Sequence, residues 1–260
     1  MAVQTEAILA VSFGTSHNDT RERTIDRIEA KLQESYPDRR IYRAWTSDMI
    51  RKKLEKRDAV HIDSVQEAFA RMKKDGIRTV TVQPTHVMNA IENDKMCEQV
   101  HLAEADFEEI KTGDALFVTE QDKEEIVKIL GEYWNSVPED ELIIFMGHGT
   151  SHEANVVYEQ LDEALKAAGH KNMYVGTVES LPTLEMIMKR IDGQDVKKVH
   201  LAPFMIVAGD HAKNDMAGEE EDSWGSHLKR AGYDVECHII GLGELEGIQN
   251  MFVRHVREAK

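Results

Sequence analysis

Three residues stand out for their chemistry and their placement: His148, Glu179 and His211. Each falls at or just after an apolar run that reads as a strand. Two imidazoles and a carboxylate suit a divalent first-row metal, and an open coordination position would allow chemistry on the ion. A neutral imidazole also accepts a proton near neutral pH. A metal ligand set that doubles as a proton acceptor is therefore the first expectation.

The three emerge when the chain is compared with itself. "IIFMGHGTSH" (Ile143 to His152) and "LAVSFGTSHN" (Leu9 to Asn18) share the ending Gly-Thr-Ser-His. Tyr42 matches Tyr174, and "GIRTVTVQP", ending at Pro84, matches "DVKKVHLAP", ending at Pro203. Three landmarks in one register predict a duplicated unit. The copies differ at three telling positions: Phe13 against His148, Ser47 against Glu179, and Glu92 against His211. The second copy thus carries the candidate ligands. The first carries an apolar side chain, a hydroxyl and one further carboxylate, Glu92. His17 and His152 recur in both copies and read as turn residues, with Thr15, Ser16, Thr150 and Ser151 as helix caps.

The elements that must position these residues follow from periodicity. Strands are expected at Ala7 to Phe13, Arg40 to Trp45, Thr79 to Val82 and Ala115 to Thr119. They recur at "ELIIFM", "NMYVGTV", "KVHLA" and "VECHII". Helical spacing links them, for example Val65, Ala68, Phe69 and Met72, or Leu184, Ile187, Met188 and Ile191. A helix over Asp122 to Trp134 joins the halves. The expected fold class is α/β: two similar domains, residues 1–124 and 125–260, each a parallel β-sheet flanked by helices. Ligands of open α/β sheets bind beyond the carboxyl ends of the strands, where all three candidates fall.

Composition narrows the partners. The 260 residues are 41% hydrophobic and 31% charged, with a net charge of -16. That balance argues against nucleic acid, whose phosphates need clustered Lys and Arg, and against an anionic membrane surface. No run approaches the ~20 apolar residues of a membrane helix. The first apolar run lacks a basic leader, so the expected location is cytoplasmic. Cys97 and Cys237 share no C-x-x-C spacing and read as buried, reduced thiols. No G-x-x-x-x-G-K-[ST] run for ATP is present.

The segment "APFMIVAGDHAKNDMAGEEEDSW", with "FMGHGT" and "GTVES", resembles the anaerobic sirohydrochlorin cobaltochelatases of the CbiK type, which are class II chelatases. The resemblance spans essentially the whole chain. It implies a chelatase-like fold with the active-site cleft between two similar domains, the last helix packing on the first. It implies His148, Glu179 and His211 as metal residues. His148 and His211 would also accept pyrrole protons, and Glu92 would act as a further acid–base residue. The chain departs from the family at "NAIEN" (Asn89 to Asn93) and at Ser180. The implied reaction is ATP-independent insertion of Co²⁺, a substrate metal, into sirohydrochlorin on the route to cobalamin. No organic cofactor is expected. The implied partners are the tetrapyrrole and a divalent metal; a homo-oligomer stays open. Lys213, Arg43 and Lys95 are candidate cations for the substrate carboxylates. Three alternatives remain at this point: an iron or nickel chelatase, a tetrapyrrole or metal carrier without turnover, and a His₂Glu metallohydrolase.

Overall fold

The computed structural model describes residues 4 to 260. The chain opens with β1 (Glu6–Ser12), α1 (Asn18–Arg23) and α2 (Ile25–Ser35). It continues through β2 (Arg40–Trp45), α3 (Asp48–Asp58), α4 (Val65–Lys74), β3 (Thr79–Pro84), α5 (Ile91–Ala103) and β4 (Glu109–Thr112). Then come α6 (Glu120–Tyr133), β5 (Glu141–Gly147), α7 (Val157–Ala167), β6 (Met173–Thr177), α8 (Leu184–Ile191) and β7 (Lys198–Pro203). It ends with α9 (Trp224–Arg230), β8 (Val235–Cys237) and α10 (Glu246–Glu258).

These elements build two four-stranded parallel sheets, ordered β2-β1-β3-β4 and β6-β5-β7-β8. The registers agree as well as the orders. Val11 pairs with Pro84 and Ser12 with Trp45 in the first sheet. Met146 pairs with Pro203 and Gly147 with Thr177 in the second. The duplication expected from three short matches therefore holds along every shared strand. The fold is α/β, two similar parallel sheets flanked by helices.

Each sheet buries its own core. Leu9, Val11, Val80 and Val82 pack with Ala68, Phe69 and Met72 of α4 and with Met96 and Val100 of α5. Ile144, Met146 and Leu201 pack with Leu184, Ile187 and Ile191 of α8 and with Trp224 and Leu228 of α9. Full burial of such a side chain stabilises by about 1.5–3 kcal/mol, which makes these faces the main determinant of the fold. Capping boxes fix two helix starts: Ser64 with Glu67 on α4, and Thr119 with Asp122 on α6.

The chain divides into two compact units. The first runs to Val118 and takes in Gly243–Lys260; the second is Thr119–Leu242. The Thr119 cap starts α6, which packs on α7 of the second unit. α10 packs on α2 and β3. Tyr36 Oη donates to the Val253 carbonyl at 3.0 Å, and Thr112 N–H donates to the Lys260 carbonyl at 2.9 Å.

Two local expectations need correction, and two helices were not expected. Ala115 to Thr119 is not a strand. Its buried Ala115, Leu116 and Phe117 follow the loop after β3, where Leu116 N–H bonds the His86 carbonyl and Phe117 N–H the Val87 carbonyl. The fourth strand is instead β4, a half-exposed "EIKT" with no apolar run to reveal it. α3 and α5 also escape the periodicity reading, because charged residues dominate α3 and few apolar positions of α5 are buried. Last, neither cysteine is fully buried: Cys97 is exposed and Cys237 half-buried.

Candidate metal centre

His148 follows β5, Glu179 follows β6 and His211 follows β7, so all three sit beyond the carboxyl edge of the second sheet. The backbone fixes the first two side by side. Val178 N–H bonds the Gly147 carbonyl at 3.0 Å, and Glu179 N–H bonds the His148 carbonyl at 2.9 Å. The first of these bonds closes the last pair of the sheet, and the second ties the two loops together one residue beyond it. Asn155 ties the same two loops. Its Oδ1 accepts from Thr150 N–H at 3.0 Å, and its Nδ2 donates to the Leu181 carbonyl at 2.7 Å.

Glycine is required at the turn between them. Gly149 has φ +86°, and a Cβ there would lie 2.8 Å from Ser180 N. Two residues past β5's paired end, the loop must turn while passing against the Glu179 loop. Tyr158 of α7 supports this approach from below. Its buried hydroxyl accepts from Gly149 N–H at 3.4 Å.

One ligand atom from each of His148, Glu179 and His211 lies within 4.8 Å of the other two. His148 Nε2 is 3.8 Å from Glu179 Oε1. The two imidazoles meet edge to face, with centroids 4.6 Å apart at 87°. The other ring nitrogens are already engaged. His148 Nδ1 donates to the Gly149 carbonyl at 2.7 Å, and His211 Nδ1 donates to Asp215 Oδ2 at 2.6 Å. Both rings are thus held as tautomers with Nε2 unprotonated in the neutral state. This is how metal-ligating imidazoles are oriented, with the free nitrogen left to face an ion.

Asp215, which holds the His211 ring, is a residue of this cluster that the sequence reading did not single out. His211 begins a π-helical turn over Ala212–Met216, and the i, i+4 spacing brings Asp215 back against its ring. The signal was present as His-x-x-x-Asp within "GDHAKNDMAG".

Glu92 lies elsewhere, in the second position of α5 in the first unit. Its Oε1 accepts from Lys95 Nζ at 2.7 Å, while Oε2 is buried without a completed hydrogen bond. Burial raises its pKa, but Lys95, Thr46 and His86 together hold it below the ordinary carboxylate value. Thr46 and His86 act on it directly, and Thr46 Oγ1, both nitrogens of His86, and Asn89 Oδ1 and Asn93 Oδ1 in the same stretch of chain are likewise buried without a completed bond. Burial pushes the His86 imidazole down to about 4, against smaller upward effects from Glu92 and Asn93. So many unsatisfied polar atoms mark this part of the first unit as polar rather than as hydrophobic core.

Other expected roles fall out differently. Arg43 is no free cation; it is clamped by Glu29 and Asp26. Lys95 is committed to Glu92. Thr15 and Thr150 do not cap helices. Their hydroxyls close short turns by accepting from His17 N–H at 3.2 Å and His152 N–H at 3.1 Å. His152 itself is the cap, its Nδ1 accepting from Ala154 N–H at 3.0 Å.

The family model described as "Cobalt chelatase (CbiK)" matches residues 6–260. The chain belongs to the cobalt chelatase family. A sirohydrochlorin cobaltochelatase of Salmonella typhimurium is 38% identical over 254 residues, covering 98% of this chain and 96% of that one. The sirohydrochlorin cobaltochelatase CbiKC of Nitratidesulfovibrio vulgaris is 30% identical over 257 residues, covering 98% and 90%. Among solved structures, SirB from Bacillus subtilis with Fe³⁺ superposes at a TM-score of 0.68 with 14% identity, covering 98% and 95%. That likeness concerns the fold, and it matches the paired sheets described above. No helix among the described residues is long and apolar enough to cross a membrane.

Proposed function

We propose that this protein inserts Co²⁺ into sirohydrochlorin without nucleotide hydrolysis, as a cytoplasmic enzyme of cobalamin synthesis. The observation that carries the reading is the convergence of His148, Glu179 and His211 at one sheet edge, in a chain of the cobalt chelatase family.

In this reading the metal is a substrate, so its site must hold the ion and then give it up. Two imidazoles and one carboxylate leave open positions, which the pyrrole nitrogens can take over one at a time. Half-exposed ligands suit this exchange. The side chains of His148 and Glu179 are 46% and 55% exposed, and that of His211 is 37% exposed. Ligands about 2.1 Å from one ion lie about 3–3.4 Å apart, so small side-chain rotations close the present spacing.

Insertion releases two pyrrole protons. As nitrogens replace imidazoles on the metal, the freed Nε2 lone pairs of His148 and His211 become proton acceptors. The Asp215 carboxylate stabilises the His211 imidazolium through its Nδ1–H bond. Glu92 is retained as an acid–base residue of the first unit. Glu179 carries the anionic charge that offsets the ion.

The test is an anaerobic assay with metal-free protein, sirohydrochlorin and Co²⁺, followed by visible absorption. Repeated turnovers, largely lost in His211→Ala, are expected. A spectral change that stops at one equivalent would replace the enzyme reading with a carrier. Absence of any change, with Co²⁺ still bound, would remove the tetrapyrrole from the account. The ligand types do not separate Co²⁺ from Fe²⁺ or Ni²⁺, so the same assay with each metal ranks them.

A further inference from the structure

A second cluster of imidazoles and carboxylates lies in the second unit, away from the carboxyl edge of its sheet. His200 is in the first half of β7, Glu236 is on β8, His238 follows β8, and Glu141 opens β5. Ligand atoms of His200, Glu236 and His238 lie within 4.8 Å of one another. The fit is closer than at the first centre. His200 Nδ1 and His238 Nε2 face each other at 2.9 Å. Nitrogens bound cis on one ion at about 2.0–2.1 Å lie about 2.9–3.4 Å apart, so the pair already has that spacing, and the rings need only turn to aim both lone pairs at one point.

The proton position on His200 also suits an ion. His200 Nε2 lies 2.7 Å from Glu141 Oε2 and donates to it, which leaves Nδ1 unprotonated in the neutral ring. A carboxylate behind an imidazole in this way is the usual support of a metal-ligating histidine. Glu236 offers Oε1, 3.8 Å from His238 Nε2, while Lys198 Nζ holds its Oε2 at 3.2 Å. Trp134 walls the pair, its ring edge to face with His238 at 4.9 Å. A cavity of about 350 Å³ opens onto both histidines beside Trp134 and Glu141.

The duplicated register shows that this constellation belongs to one copy. His200 pairs with Glu236 on β8, as Thr81 pairs with Lys111 on β4. Glu141 corresponds to Glu6. In the first unit an arginine fills the place: Arg39 donates to Thr81 Oγ1 at 3.4 Å and pairs with Glu6 at 3.2 Å. A fixed guanidinium and a lysine in one copy correspond to two imidazoles and a carboxylate in the other. A third group, His61, Asp63 and Glu67, is different again, because Arg71 already takes Asp63 and Arg51 takes Glu67.

We propose that His200, His238 and Glu236, braced by Glu141, form a second metal site for a divalent first-row transition cation, separate from the His148–Glu179–His211 centre. Imidazole-rich sites of this kind take Co²⁺ through Zn²⁺. The ion loads by a tautomer shift: the His238 proton moves from Nε2 to Nδ1, and both facing nitrogens then present lone pairs. The ion held there is a resident of the unit, since its ligands lie away from the edge where the reaction is placed.

Co²⁺ alone, added to the metal-free full chain, tests this by equilibrium dialysis and ligand-field absorption. Two equivalents are expected for the wild type. His238→Ala should lose one and keep the wild-type chelation rate, whereas His211→Ala should lose the other. Glu236→Gln, at an exposed position, should weaken the second equivalent at least tenfold and covers the case in which His238→Ala fails to fold. If the first centre holds no Co²⁺, the wild type binds one equivalent, and His238→Ala abolishes it. Unchanged stoichiometry and spectrum in both His238→Ala and Glu236→Gln would overturn the proposal.

Discussion

The two sheets of this chain are built to the same plan down to single hydrogen bonds, yet they present different chemistry at the same places. Ser47 N–H reaches the Phe13 carbonyl at 3.2 Å, as Glu179 N–H reaches that of His148 at 2.9 Å. Thr85 N–H reaches the Val11 carbonyl at 2.8 Å, as Phe204 N–H reaches that of Met146 at 2.8 Å. Asp94 N–H bonds the Ala90 carbonyl, as Lys213 N–H bonds that of Gly209, both at 3.0 Å. On this shared frame, one copy places Phe13, Ser47 and Glu92, and the other His148, Glu179 and His211. On the proposed function, the frame is a matter of stability and the side chains at its edge a matter of function. That separation lets the positions be tested in pairs.

The largest effects should come from the metal edge. His148→Ala or His211→Ala should lower the chelation rate by about 100-fold or more, measured by anaerobic product absorbance, because an open site loses a ligand outright. Phe13→Ala, at the matching place, should leave the rate within a few-fold. Asp215→Asn should raise the apparent Co²⁺ dissociation constant about 10- to 100-fold. It removes the carboxylate behind His211, where the first copy has only the buried Met96. Direct Co²⁺ titration checks it.

The next effect belongs to the first unit. His86 ordinarily titrates near 6.5 and is held at about 4 in the fold, mainly by burial. Between those values the unfolded chain binds a proton that the folded chain refuses. Stability therefore falls as pH drops from about 6.5 toward 4, and is fully present above that window. The shift corresponds to roughly 3 kcal/mol. His86→Phe, which also removes two unsatisfied nitrogens, should flatten this acid loss in denaturant unfolding measured from pH 7 to pH 4.5.

The smallest pair sets a helix cap against a ligand. Ser47 Oγ caps α3 by accepting from Ile50 N–H at 3.4 Å. Ser47→Ala should cost about 1 kcal/mol in urea unfolding without touching chelation. Glu179→Gln should do the reverse: stability within about 0.5 kcal/mol, because the side chain is exposed, and weakened metal binding.

The α/β class, the duplication and the three edge residues were legible because they depend on landmarks with strong local signals. A Gly-Thr-Ser-His turn, a strand-ending proline and buried apolar strands all leave a pattern. β4 left none, being a half-exposed edge strand. α3 left none either, since one buried leucine, Leu54, among charges carries little periodicity. The buried polar atoms near Glu92 and the His200–His238 pair were beyond reach for another reason. His200 and His238 lie on β7 and just past β8, neighbouring strands that only the sheet register brings together, and burial of the short stretch from His86 to Asn93 against Thr46 is a matter of tertiary packing. Asp215 lay between, at a helical spacing that is visible once His211 is known to start a turn.

The measurement that bears most directly on the division of labour is multiple-turnover chelation, anaerobic, with Co²⁺ and sirohydrochlorin. The wild type is compared with His148→Phe and Phe13→His, with circular dichroism confirming the fold of each. The account predicts many turnovers by the wild type and by Phe13→His, and almost none by His148→Phe. Turnover by His148→Phe at the wild-type rate would contradict it, and would mean that the metal edge of the second unit is not where the reaction is done.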